Sequence, residues 1–358
     1  MKYKISELVS INSKAIKKDY DGLIKYIDTS SVNNGKFDNP RTYSTLHDAP
    51  SRARRMASVG DTVISTVRPN MKHIGFISEN NNYVYSTGFA VVSPNRKLVD
   101  PYYLYLYLSS AFVTKTLQSI GETSTSTYPS IKPNDIGNLS VDIPSMKEQK
   151  EVANRIRLLD EKIKFNNRIN DNLLELLNAQ YKHLLSKHNL AKVKLSELCD
   201  ISAGGDKPKK ISKMKSNENL VPVYSNGTNK DGLYGYTNKA KIFKKAVTIS
   251  ARGTIGYTVL RTEPFVPIVR LISLQSKGAI SAEFLYLLIS NLSIQGYGST
   301  QQQITVPYMK KIVVNIPSLN LINEFQKEIS PLFNQIDRNK RENEQLTNIR
   351  NVLLDKFF

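Results

Sequence analysis

The chain has one cysteine, four histidines and only 31 acidic residues against 50 lysines and arginines. A lone Cys199 excludes an internal disulfide and suits a reducing compartment, here expected to be the cytoplasm. It follows Leu198 and aligns with Val9 in the repeat described below, so we read it as a core residue rather than a nucleophile. No apolar run approaches the ~20 residues that span a bilayer. Met1–Glu7 carries charge in its first turn and lacks the apolar stretch of a secretory signal. The histidines (His47, His73, His183 and His188) are scattered, and with one cysteine they do not assemble a typical structural zinc site. No Gly-x-x-x-x-Gly-Lys-Ser/Thr sequence occurs, which argues against a P-loop ATPase. The shortage of acid leaves a formal charge of +19 and a pI near 9.7. That balance favours a polyanionic partner, nucleic acid first and an anionic membrane surface second.

What the sequence does have is a duplication. Residues 1–187 and 188–358 follow one plan. Lys4-Ile5-Ser6-Glu7-Leu8 matches Lys194-Leu195-Ser196-Glu197-Leu198. Val63–Arg68 matches Thr248–Arg252 with one gap, and Asp142-Ile143-Pro144-Ser145 matches Asn315-Ile316-Pro317-Ser318. Each copy opens with a mixed part. Short β-branched runs at Thr62–Thr66, Tyr83–Tyr85, Phe89–Val92, Ala246–Ser250 and Tyr257–Leu260 predict strands between Gly, Asn, Pro and Ser turns. Asp100 and Pro101 predict the start of a helix through Tyr102–Ala111, with Ser281–Ser290 as its counterpart.

Each copy then closes with one long helix, entered at Pro144 or Pro317 and N-capped by Ser145 or Ser318. Val152, Ile156, Leu159 and Ile163 alternate four and three apart, with Leu173 and Leu177 four apart further on, and so do Phe325, Ile329, Leu332 and Ile336 before Leu346. This is the seam of a coiled coil. Pro331 would bend the second helix locally. Continuing the alternation lands on Asn166 and Asn170 in one helix and Asn339 and Asn343 in the other. Rotation of the helices would expose these residues. We favour burial, with the asparagines of an antiparallel pair meeting at mid-helix to fix register.

Order, duplication and helices together resemble the specificity subunit of a type I restriction-modification system. In the first copy the resemblance rests on Ser51–Arg55, Gly60–Pro69 and Ser86–Val91. In the second it rests on Tyr224–Gly227, Asp231–Tyr236, Ser250–Gly256 and Ser299–Ile304. The implied fold is α+β: two mixed α/β target recognition domains, 1–144 and 188–316, separated by two long antiparallel coiled-coil helices, 145–187 and 317–358, with a pseudo-twofold internal duplication. The implied function is to read a bipartite double-stranded DNA site, one domain per half-site. The helices would set the gap and dock adenine methyltransferase subunits, expected to be two, and through them restriction and translocation subunits. The family subunit is not an enzyme. It binds no cofactor itself, while S-adenosylmethionine, ATP and Mg belong to its partners. The two recognition parts are only moderately alike, so no palindromic site is expected.

The residues agree with a non-catalytic role. A methyltransferase would need Asn/Asp-Pro-Pro-Tyr/Phe, and Asp100-Pro101-Tyr102-Tyr103 lacks the second proline. Asp160-Glu161-Lys162 sits on a long helix and reads as a solvated face. Lys and Arg outside the helices are the materials for phosphate contact and base choice. The candidates are Arg52, Arg54 and Arg55; Arg68 with Lys72 and His73; Lys207, Lys209, Lys210, Lys213 and Lys215; and Lys239, Lys241, Lys244 and Lys245. Arg68 and Arg252 hold matching positions just after a strand. Each could pair with guanine O6 and N7 or brace its own loop through an internal ion pair. Gln301, Gln302 and Gln303 could read adenine or simply close the domain, and Ser225, Asn226 and Thr254 are candidate loop contacts. The rival expectation is a coiled-coil scaffold that binds nucleic acid without sequence preference.

Overall fold

Thr62–Ser65 and Ala246–Ile249 are β-branched runs in which every residue is buried, so each belongs in the middle of a sheet rather than at its edge. The computed structural model describes residues 2–124, 127–294 and 303–358. It divides the chain into two units: residues 1–164 with 343–358, and residues 165–342.

In the first unit, Thr62–Ser65 lies between Phe89–Pro94 and Ile74–Phe76, with Val9–Ile11 at the far edge, all antiparallel. A second sheet runs Arg41–Tyr43, Ile24–Ile27, Val84–Ser86, Ala53–Met56, and its central pair is parallel. The second unit repeats the order. Ala246–Ile249 lies between Ile272–Ser276 and Thr258–Arg261, with Cys199–Ala203 at the edge. Its other sheet joins Leu233–Thr237, Val221–Tyr224 and Val266–Pro267, again with a parallel pair. Register is shared as well: Ile64 faces Ala90, and Ile249 faces Ile272. Cys199 is buried, and desolvation pushes its thiol up to about 12, as suits a core cysteine.

Asp100 caps the helix Pro101–Ser109 by accepting from the amides of Tyr102 and Tyr103, both at 3.0 Å. The helix does not run on to Ala111. Ser110 turns extended and its hydroxyl caps a further helix, Ala111–Glu122. Ser281 caps Ala282–Ser290 in the second unit.

The long helices span Met146–Lys187 and Leu319–Phe357, and the second continues across Pro331. At about 1.5 Å per residue the first is roughly 60 Å long. Ser145 and Glu148 form a reciprocal cap at its start. Neither helix is a body of its own, because each divides between the two units. The reason is burial. In the first unit Val152, Ala153 and Ile156 join the core built on Pro101–Ser109, and Leu353, Leu354 and Phe357 pack against it. Phe358 stacks on Tyr103 and Tyr107, with centroids 5.0 and 6.1 Å apart. In the second unit Leu177, Tyr181, Phe325, Ile329 and Phe333 join Phe284 and Leu287. Each such side chain contributes about 1.5–3 kcal/mol when fully buried.

Asp160 is not on a solvated face. It accepts from the Tyr102 hydroxyl at 2.6 Å and pairs with Arg350 at 2.6 Å, binding the two helix segments of the first unit to the helix Pro101–Ser109. In the second unit Asn166, Asn170 and Asn339 are all buried. Asn339 donates to Asn170 at 2.8 Å and accepts from Gln335 at 2.7 Å, and Asn166 donates to Glu342 at 2.8 Å. These pairings require the two segments to run in opposite directions. Asn343 belongs to the first unit and is half-buried, its carbonyl accepting from Thr347.

Replacing Asn339 by Leu should cost about 1–3 kcal/mol, because the buried Asn170 amide loses its partner. Replacing Asn170 and Asn339 together by Leu should recover most of that loss. Urea midpoints measure both, and a double variant as unstable as the single one would contradict the pairing.

Candidate nucleic-acid interface

In both units the central strand of the antiparallel sheet ends in a loop that carries an arginine. Thr66 follows the first strand, and its carbonyl accepts from Ile131 at 2.8 Å. Ala251 follows the second, and its carbonyl accepts from Ile304 at 3.0 Å. In each unit, then, the segment that leads into the last strand of the mixed part also holds the arginine loop.

In the first unit Arg68 is left-handed (φ 51°) and its amide donates to Pro129 at 2.8 Å. Its guanidinium lies 3.9 Å from the centroid of Tyr128, and both side chains are exposed. Among the described residues no acidic side chain pairs with it, and the face of Tyr128 orients it. Pro69–Met71 forms a single 3-10 turn, closed by a second left-handed residue, Lys72. His73 donates from Nδ1 to the Val32 carbonyl at 2.7 Å, so this nitrogen is committed to the fold. Arg52 and Arg54 flank this region from the neighbouring sheet. The Arg52 carbonyl accepts from Thr87, and Gly88, the next residue, accepts from Thr66. Arg52 is exposed, whereas Arg54 is half-buried and donates to the Ala53 carbonyl. Arg55 is held in the sheet with its Nε buried.

In the second unit Arg252 donates from Nη2 to Gln303 Oε1 at 2.9 Å, with Nε at 3.3 Å. It is half-buried, and Thr254 beyond it is exposed. Asn226 joins two loops. Its Oδ1 accepts from Ala251 N–H at 2.7 Å and its Nδ2 donates to the Val269 carbonyl at 2.7 Å. Both ends of that amide are therefore spent on the fold. Ser225 donates its amide to Gly232, where φ is +80° and a Cβ would stand 2.4 Å from the Ser225 carbonyl oxygen. Only glycine fits there. Gln301 and Gln302 lie outside the described residues.

Arg261 closes the strand Thr258–Arg261, and a lone arginine at such a place gives no pattern in sequence. It is buried, and desolvation lowers its pKa. Its guanidinium lies 3.6 Å from the Tyr224 ring centroid and donates to Thr248 Oγ1 at 2.9 Å and to the Asp231 carbonyl at 2.6 Å. Asp231 also accepts from Tyr257, whose hydroxyl is pushed up to about 12 by burial and by that carboxylate. Together these contacts fix the left-handed pair Lys230–Asp231. Lys207 and Lys213 lie 5.7 and 5.2 Å from the Tyr234 ring. Lys245 is taken by Glu283 at 2.7 Å, which leaves it less suited to phosphate than its neighbours.

Asn226→Ala should cost about 1 kcal/mol, since it strips partners from two backbone groups. It should also speed hydrogen exchange at the Ala251 amide. Unchanged exchange at that amide would contradict the clamp.

Residues 1–175 and 187–350 each match the type I restriction modification DNA specificity domain. The chain is 24% identical to the HindI specificity subunit, from a type I restriction enzyme of Haemophilus influenzae, over 93% of each protein. It is 25% identical to a putative type I specificity subunit of Mycoplasma pneumoniae, over 92% of this chain and 88% of that one. Among solved structures, the S subunit of a type I restriction-modification system from M. genitalium covers 100% of this chain and 96% of its own, with a TM-score of 0.59 and 17% identity, a likeness of fold. With that domain matched twice along most of its length, the chain belongs to the type I restriction-modification DNA specificity family.

Proposed function

We propose that this chain is the DNA-specificity subunit of a type I restriction-modification complex and reads a split double-stranded site, one half-site per unit. The observation that carries this reading is the repeated arginine loop. In each unit it hangs from the central strand and is held by the segment that leads into the last strand of the mixed part. Arginine presents a fork that fits guanine O6 and N7, whereas lysines on the same surface supply sequence-independent attraction to phosphate. A charge of +19 supplies that attraction in quantity. The two loops use different braces, tyrosine in one unit and glutamine in the other, which fits half-sites of unrelated sequence.

The long helices act as an antiparallel coiled-coil spacer in a pseudo-twofold molecule, and their length sets the gap. They also dock partners. In the first unit Leu158, Ile349 and Val352 are exposed, and in the second Phe165, Ile169 and Leu176 are. Apolar helix residues left uncovered in this way suit helices of adenine methyltransferase subunits, one for each unit, and restriction and translocation subunits join through them. Chemistry belongs to those partners, with their S-adenosylmethionine, ATP and Mg; this chain selects the site. Among the described residues no helix is long and apolar enough to cross a membrane, and a cytoplasmic complex is the setting we favour.

The test is co-expression with the methyltransferase subunit encoded beside it, in a host without adenine methylation, followed by long-read mapping of modified adenines. A split motif with a fixed gap is expected, and Arg252→Ala should relax one half of it while leaving the other unchanged. Modification without sequence preference would favour the scaffold reading. An unaltered motif in the variant would remove Arg252 from the base-reading set.

A further inference from the structure

Val269 and Arg270 are consecutive left-handed residues, at φ 52° and 61°. A β-branched residue rarely occupies that region, and two such residues in succession need external support. Support comes from the backbone around them. Ile268 N–H donates to Tyr224 at 2.9 Å, Val269 N–H to Gly205 at 2.9 Å, and Arg270 N–H to Gly204 at 3.0 Å. The Val269 carbonyl accepts from Asn226 at 2.7 Å. Gly204 must be glycine, because a Cβ would meet Pro267 and Ile268 backbone atoms at 2.7 and 2.8 Å. The turn is therefore held rigidly in a conformation the chain would not choose unaided.

What this strained turn does is present a side chain. Val269 and Arg270 are both exposed. Among the described residues the Arg270 guanidinium has no hydrogen-bond or ion-pair partner, in contrast to Arg252, which Gln303 holds. The Asn226 amide ties this turn directly to Ala251, the residue before Arg252, so the two arginines stand on loops bridged by one side chain. Lys241 is exposed beside them, its Nζ 3.4 Å from where a side chain at Gly205 would begin. The equivalent positions in the first unit, by strand register, are Thr87 and Gly88, and neither is left-handed. The device therefore belongs to the second unit, where it supplies a guanidinium that the first unit lacks at this place.

We propose that Arg270 is a base-reading residue of the second unit, presented by the strained Val269–Arg270 turn to a guanine in its half-site, with Lys241 on an adjacent phosphate. This rests on the chain being a DNA-specificity subunit. Strain held by many backbone contacts costs stability and is retained where it positions a functional group. An arginine whose backbone is already held in place loses less freedom on pairing with a base than one on a mobile loop.

The experiment maps modified adenines for the full chain, Arg270→Ala and Arg270→Gln, each with the methyltransferase subunit. The wild-type map separates the two levels: no split motif there would sink the specificity reading itself. Given that motif, Arg270→Ala should relax one base pair of the second half-site, with discrimination falling roughly 10- to 100-fold, and should leave the first half-site unchanged. Arg270→Gln should move preference at that position from guanine towards adenine, the base that glutamine can pair with through N6 and N7. Both variants should melt with the wild type, because the side chain is exposed. An unchanged motif would overturn the proposal. So would a uniform loss of modification at every site, which would make Arg270 a phosphate contact.

Discussion

A helix of about forty residues whose surface is mostly polar does not hold its shape on propensity alone; its apolar stripe has to be covered. In this chain the cover is the recognition fold itself. Val152 and Ile156 complete the core around Pro101–Ser109, and Phe325, Ile329 and Phe333 complete that around Ala282–Ser290. Buried glutamine fixes the alignment. Gln149 accepts from the Asp100 amide and donates to the Leu98 and Pro144 carbonyls, so helix entry and helix cap are one hydrogen-bonded knot. Gln326 repeats the arrangement on the Ser281 amide and the Ala279 carbonyl, from one helical turn further along its helix. Each recognition fold is therefore complete only with its share of both helices.

The buried polar groups are placed where alternatives have to be refused. Asn170 with Asn339 fixes register, because a shift would bury both amides unpaired at a cost of about 1–3 kcal/mol each. Asp160 with Tyr102 and Arg350 does the same at the other helix segments. Arg261 carries this logic into the recognition fold, where it anchors the Lys230–Asp231 turn that frames the second arginine loop. Function then rests on loops whose directions are set by cores and buried bonds rather than by the loops themselves.

Much of this was legible in sequence because it is periodic or positional. Thr62–Ser65 and Ala246–Ile249 announce themselves by β-branching, the helix at Pro101 by Asp-Pro, and the long helices by their four-three spacing. The burial of Asn170 and Asn339 follows from the same spacing. What stayed hidden depends on φ or on contacts distant in sequence. Ser110 reads as part of the first helix until its extended backbone makes it a cap. Asp160 looks solvated until Tyr102, 58 residues away, is found bonded to it. Asn226 looks like a DNA contact, but both ends of its amide are spent inside the fold. Val269 and Arg270 give no signal in sequence, since no composition rule marks a left-handed valine.

The central claim is that each unit is a separate reader. Exchanging residues 188–316 for the corresponding stretch of another family member, then mapping modified adenines with the same methyltransferase subunit, tests it most directly. The account predicts that one half-site is replaced while the other survives unchanged. A hybrid that modifies DNA with both half-sites altered would contradict it.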